Sequence, residues 1–215
     1  MAGPLSGPDK QRIVDLYESR LSQFGRDVRT VGWGSRATQQ LRFEVLCRSV
    51  KFSGMRVLDV GCGLGDLVPF LDQAGHKNYD YVGLDIAPGL VDEAVRLHGG
   101  TNRRFIAGDL FGTDDLGTFD AVILSGALTL RVTDNLAVAQ KTISKMFEMS
   151  RQVTAVNFLS KYADYETEKD FHFQPETMFT FGKSLTRWVT LYHDYPLYEF
   201  TLQLFRSSTA KDGQT

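Results

Sequence analysis

The chain has 215 residues, 42% hydrophobic and 23% charged, which suits one well-cored globular domain and excludes a disordered or fibrous protein. Its formal net charge of -2 leaves no global basic field to neutralise a phosphate backbone, so no nucleic-acid partner is expected. No stretch reaches the roughly 18 apolar residues of a membrane span, and the first residues lack the pattern of a secretory signal, so a cytoplasmic protein is expected. The two cysteines, Cys47 and Cys62, suggest neither a disulfide framework nor a metal cluster, only reduced structural thiols.

In chain order, residues 8–24 place Ile13, Leu16, Tyr17, Leu21 and Phe24 on one stripe at helical spacing, with Gly25 where a helix stop belongs. After a break at Val31-Gly32-Trp33-Gly34, Ser35 is a natural N-cap, and 37–50 reads as a second helix burying Leu41, Val45, Leu46 and Val50, ended by Ser53-Gly54. From Met55 the pattern becomes short apolar runs between glycine-rich or acidic turns, with helical segments interleaved, as in βαβ units. The spacing predicts strands at 56–60, 81–84, 104–107, 121–124 and 153–158 and helices at 65–73, 89–97 and 134–149, hence a doubly wound parallel sheet. The last two β-rich runs, 188–195 and 197–205, are joined by a short turn at Pro196. Strands so close must pair antiparallel, because a parallel crossover takes about a dozen residues or more.

The segment Val57-Leu58-Asp59-Val60-Gly61-Cys62-Gly63-Leu64-Gly65 has an acid near the end of a hydrophobic strand, followed by glycines at alternate positions. Glycine is needed where the chain turns sharply and where a ligand must touch the backbone, so this is read as a nucleoside-binding turn. Asp85 ends the second strand twenty residues beyond Gly65, where a carboxylate can accept from both vicinal hydroxyls of a ribose. The third strand ends in Gly108-Asp109-Leu110, where a carboxylate can meet an adenine amino group. Three strand ends converge on one adenosine.

As a set, Asp59-x-Gly61-x-Gly63-x-Gly65, Asp85, Gly108-Asp109 and the strand Phe119-Asp120-Ala121-Val122-Ile123 resemble the class I S-adenosylmethionine-dependent methyltransferases, over roughly residues 54–206. The resemblance implies an α/β fold with a doubly wound, mostly parallel seven-stranded sheet closed by a C-terminal antiparallel hairpin. It implies a helical extension or lid over 1–50, a cofactor-binding catalytic domain over 51–206, and a disordered tail over 207–215. S-adenosyl-L-methionine would be the methyl donor and S-adenosyl-L-homocysteine the product. Gly61, Gly63 and Gly65 would let the backbone approach the methionine portion, and Asp59 would fix the loop or meet the ammonium group. Asp85 would hold the ribose, Ile86 would pack on the adenine, and Asp109 with Leu110 would bind its edge. Ser125-Gly126-Ala127 would lie under the sulfonium and beside the acceptor. The stretch from Trp33 through Gln39 to Arg42 resembles a lid in which an arginine meets the methionine carboxylate, a partner that suits a bidentate guanidinium.

Transfer from an activated sulfonium needs alignment and exclusion of water, and it needs a general base only for a neutral hydroxyl or an ammonium acceptor. His172, in a long aromatic loop, and Tyr17, on the first helix, are the candidates, with core packing as the alternative for each. The fourth strand ends in Leu124-Ser125-Gly126-Ala127 and not in the Asn/Asp-Pro-Pro-aromatic sequence of enzymes that methylate the amino groups of bases or glutamine. That absence, with the acidic balance, points to a small-molecule acceptor; a monomer or homodimer is expected, and no His/Asp/Glu set has the spacing of a metal site. An RNA or protein methyltransferase and a catalytically silent cofactor-binding scaffold stay open. A nicotinamide oxidoreductase is disfavoured, because the glycines do not follow the G-x-G-x-x-G spacing.

Overall fold

The computed structural model describes residues 3–113 and 116–209, so residues 210–215 of the expected disordered tail lie outside the described residues. Two helices come first, α1 (Gly7–Phe24) and α2 (Arg36–Leu46). They are followed by β1 (Arg56–Val60), α3 (Leu67–Gln73), β2 (Asp80–Asp85), α4 (Pro88–His98), β3 (Arg103–Ala107) and β4 (Phe119–Leu124). The rest of the chain forms α5 (Asn135–Met149), β5 (Ser150–Leu159), α6 (Pro175–Leu185), β6 (Trp188–Tyr192) and β7 (Glu199–Phe205). The strands make one seven-stranded sheet in the order β3-β2-β1-β4-β5-β7-β6, in which every pairing is parallel except the two that β7 makes, with β5 and β6.

Side chains alternate across each strand, so the sheet buries two faces. Leu58, Val82, Leu84, Val122 and Val156 pack against Ala139, Ile143 and Met146 of α5 and Met178 of α6. Val57, Tyr81, Ala121 and Ala155 pack instead against Phe43 and Leu46 of α2, Leu71 of α3 and Ala94 of α4. Strand order reverses between β1 and β4, and a crevice opens at the carboxyl ends of strands at such a point. Local chemistry sets the ends of the first helices. The Ser6 side chain accepts from Asp9 N (3.1 Å), the Ser35 side chain accepts from Thr38 N (3.1 Å), and Gly25 ends α1 at a positive φ of 58°.

Three elements differ from the sequence expectation. Helix α2 stops at Leu46 instead of running to residue 50, because Gln203 of β7 donates to the carbonyls of Leu46 (2.9 Å) and Arg48 (2.7 Å). A side chain from the far end of the chain satisfies carbonyls that would otherwise be orphaned. The turn of the terminal hairpin is six residues long, 193–198, and not a tight turn at Pro196. Tyr195 turns inward there and its hydroxyl pairs with Thr201 Oγ1 at 3.0 Å. Helix α6 was not expected at all. It opens on Pro175 with Glu176 in its first turn, and lies so close to the sheet that a Cβ at Gly182 would sit 3.3 Å from Leu202.

Candidate active site

The loop after β1 is held in place by its own backbone. Gly61 N and Cys62 N both donate to Leu84 O, at 2.7 and 3.1 Å, which ties the turn to the end of β2. Gly61, Gly63 and Gly65 all have positive φ (72°, 53° and 77°), a region costly for residues with a Cβ. Close approach is the second reason for glycine: a Cβ at Gly61 would lie 2.5 Å from Ala127 and one at Gly63 2.7 Å from Val31. Gly65 serves packing and not the site. It lies off the cavity wall, where its Cβ would strike Phe105 at 2.8 Å.

Each strand-end acid is already engaged. Asp85 accepts from Gly63 N (2.8 Å) and Ala87 N (3.0 Å), so one carboxylate joins the glycine loop to the start of α4. Asp59 accepts from the Tyr81 hydroxyl at 2.6 Å. Asp109 accepts from Phe111 N (2.9 Å) and Gly112 N (2.7 Å), and pairs with Lys10 of α1. Asp66 accepts from Gln39 of α2 at 2.9 Å. These four carboxylates line a cavity of about 350 Å³, on whose wall Lys10 is the one basic residue. Ile86, Gly108, Leu110, Ser125, Gln39 and Trp33 line it too. Residues 3–5, with Ile13 and Tyr17 of α1, close it from the N-terminal side.

A donor carrying a sulfonium and an ammonium fits this wall. The four carboxylates would offer negative charge to it, Gly61 and Gly63 bring backbone without side chains to the cavity wall, and the buried Ser125 Oγ has no partner among the described residues. Burial pushes Asp59 up to about 7, against the opposing hydrogen bond from Tyr81. An acid raised in the folded state binds its proton more tightly there than in the unfolded chain, so stability falls as pH rises from about 4 to about 7. Asp59→Asn is expected to flatten that slope, by up to about 1.4 kcal/mol per pH unit. Thermal unfolding of the two proteins between pH 4.5 and 7.5 tests this, and parallel curves would contradict it.

Three expectations are corrected by where the side chains lie. His172 is 3% exposed and stands off the cavity wall, with no partner for Nδ1 among the described residues, so it packs under its loop and does not face an acceptor. Arg42 also lies off the wall. Its guanidinium is paired with Glu199, its Nε reaching both carboxylate oxygens at 2.7 and 2.8 Å, and it stacks 4.2 Å over the Trp33 ring. Tyr17 does face the cavity, but burial pushes its phenol up to about 12, so at neutral pH it is a donor and not a base. The sequence reading missed Lys10, Asn157 and Glu199. The only signal for the last two was a polar side chain inside or beside an otherwise apolar strand run.

Cys47 and Cys62 are both free and buried. Among the described residues there is no cluster of His, Cys, Asp and Glu able to hold a metal ion, and no helix long and apolar enough to cross a membrane.

Residues 57–156 match the family model described as a methyltransferase domain. A Mycobacterium tuberculosis protein, Rv1506c, named as a candidate methyltransferase, is 32% identical over 158 residues, covering 70% of this chain and 92% of its own. In fold, the chain resembles magnesium protoporphyrin IX methyltransferase from Synechocystis with bound S-adenosylmethionine, at a TM-score of 0.68 and 21% identity, covering 96% of this chain and 100% of that one. It also resembles the pyocyanin biosynthetic protein PhzM, at a TM-score of 0.65 and 18% identity, covering 89% of this chain and 62% of that one. With the glycine loop, the acids ending β2 and β3 and the reversed last strand in their places, the chain belongs to the class I S-adenosylmethionine-dependent methyltransferases.

Proposed function

We propose that this methyltransferase acts on a small molecule and not on RNA or protein. The observation that carries the reading is the wall of the cavity: it is closed by residues 3–5 and α1, and its one basic residue, Lys10, is already paired with Asp109. A polynucleotide needs unpaired cations and an open groove to hold its phosphates. A pocket covered on one side by α1 and residues 3–5, lined mostly by apolar surface with a few fixed polar groups, suits a metabolite. In this reading residues 3–50 act as a lid over the catalytic domain, α1 and residues 3–5 covering the cavity from the N-terminal side.

When bound, S-adenosylmethionine supplies a methyl group already activated on sulfur. The chain's own residues then bind, align and exclude water. Asp59 would meet the ammonium and Asp85 the ribose, Ile86 would pack on the adenine, and Asp109, now paired with Lys10, would bind its edge with Leu110. Ser125 is part of the cavity wall and would lie beside the acceptor. With Tyr17 protonated and His172 outside the cavity, the acceptor that suits the site arrives already nucleophilic, as a carboxylate, a thiolate or an acidic phenol. Transfer of labelled methyl to a panel of such compounds tests the reading, with RNA and protein as the other arms. Turnover confined to a polynucleotide, together with binding that weakens steeply with salt, would overturn it.

A further inference from the structure

Two loops that the mechanism needs are joined by a buried polar chain that runs through the last strand. Glu199, at the start of β7, has a side chain only 4% exposed, and pairs with Arg42 of α2, whose side chain is 11% exposed. The guanidinium lies 4.2 Å over the Trp33 ring. On its other side, Glu199 Oε2 accepts from Asn157 Nδ2 at 3.1 Å, and Asn157 Oδ1 in turn accepts from Gly126 N at 2.8 Å. The circuit closes on itself, since a Cβ at Gly126 would run into the Trp33 indole. Gly126 follows Ser125 on the cavity wall, and its positive φ of 74° gives the loop one defined shape.

We propose that Glu199 is a positioning residue that sets the lid and the loop after β4 against one another. It holds Trp33 through the Arg42 guanidinium and holds Gly126 through the Asn157 amide. One carboxylate can do both because its two oxygens are shared between a charged fork from helix α2 and a neutral amide on the adjacent strand β5. Burial raises the strength of each of these contacts and the cost of leaving any of them unmade. Trp33 packs on Gly126 and both line the cavity, so losing Glu199 loosens two adjoining parts of the same wall.

The test reads the position of Trp33 directly, in a Trp188→Phe background where Trp33 is the one indole left. In the ligand-free protein, Glu199→Gln is expected to shift Trp33 emission to longer wavelength and to increase acrylamide quenching about twofold, with a roughly tenfold weaker affinity for S-adenosylhomocysteine by calorimetry. Arg42→Met combined with Glu199→Gln leaves no unpaired buried charge, and provides a folded protein where the single substitution destabilises the chain. It is expected to show the same loosened Trp33, because the stacking cation is gone. Circular dichroism establishes that each variant is folded. A folded variant in which Trp33 keeps its emission and its quenching overturns the proposal, whatever its turnover. Because the optical readout needs neither cofactor nor acceptor, it stands apart from the identity of the substrate.

Discussion

Gly61→Val is expected to weaken S-adenosylhomocysteine binding by roughly 100-fold, about 2.7 kcal/mol, the order of the backbone strain and clash it introduces. Three constraints meet at this residue. Its φ is 72°, a conformation in which a β-branched residue is strained by about 1–3 kcal/mol. Its Cβ would stand 2.5 Å from Ala127 on the loop after β4. Its own N–H donates to Leu84 O at 2.7 Å, so the backbone cannot rotate to escape without breaking the tie between β1 and β2. The turn therefore shifts, and the shift narrows the cavity from the side where the backbone is meant to be bare. Calorimetric titration with S-adenosylhomocysteine and a thermal melt measure the two effects. Gly75→Ala is the control: φ there is also positive, at 85°, but a Cβ has nothing within 4 Å, so stability should fall while affinity holds. Affinity of the Gly61→Val protein within about threefold of the parent would mean that the loop does not form the cradle.

Asp85→Ala should lower the same affinity by roughly 10- to 100-fold, because hydrogen bonds to a charged group contribute about 1.5–3 kcal/mol each. The carboxylate holds Gly63 N on one oxygen and Ala87 N on the other, so removing it frees the glycine loop and the start of α4 together. It also removes the group placed to accept from a ribose. Burial is the largest influence on Asp85 and pushes its proton affinity up, while the N–H groups of Ala87 and Gly63 pull it down. Asp85→Asn separates the two roles. An amide keeps one accepting oxygen for one of these N–H groups but cannot serve both, so its affinity should fall between those of the parent and the alanine variant. Unchanged affinity in Asp85→Ala would remove the acid from the site altogether.

Most of the framework was legible before any coordinates. The strand boundaries at β1 are as the alternation predicts, and β2 to β5 differ from expectation by a few residues at their ends, because strand ends are set by pairing partners that the local pattern does not contain. Ser35 caps α2 as expected, since a hydroxyl before a helical stripe needs no partner beyond its own next turn. Helix α6 was hidden because 175–185 carries two Thr, two Phe and a Gly, residues of modest or low helix propensity, and its helical state is won by packing Met178 and Gly182 on the sheet.

Within the site, the boundary falls in the same place. The glycine loop, Asp59, Asp85 and Asp109 could be read directly, because each depends on a turn or a strand end a few residues away, and the backbone conformation they require is a local property. His172, Arg42 and Glu199 could not. Whether a histidine faces a cavity, or whether an arginine has its carboxylate partner 157 residues further on, depends on how distant strands register. Backbone geometry is set by neighbours in the chain, whereas the pairing of buried charge is set by neighbours in space, and only the folded sheet brings those together.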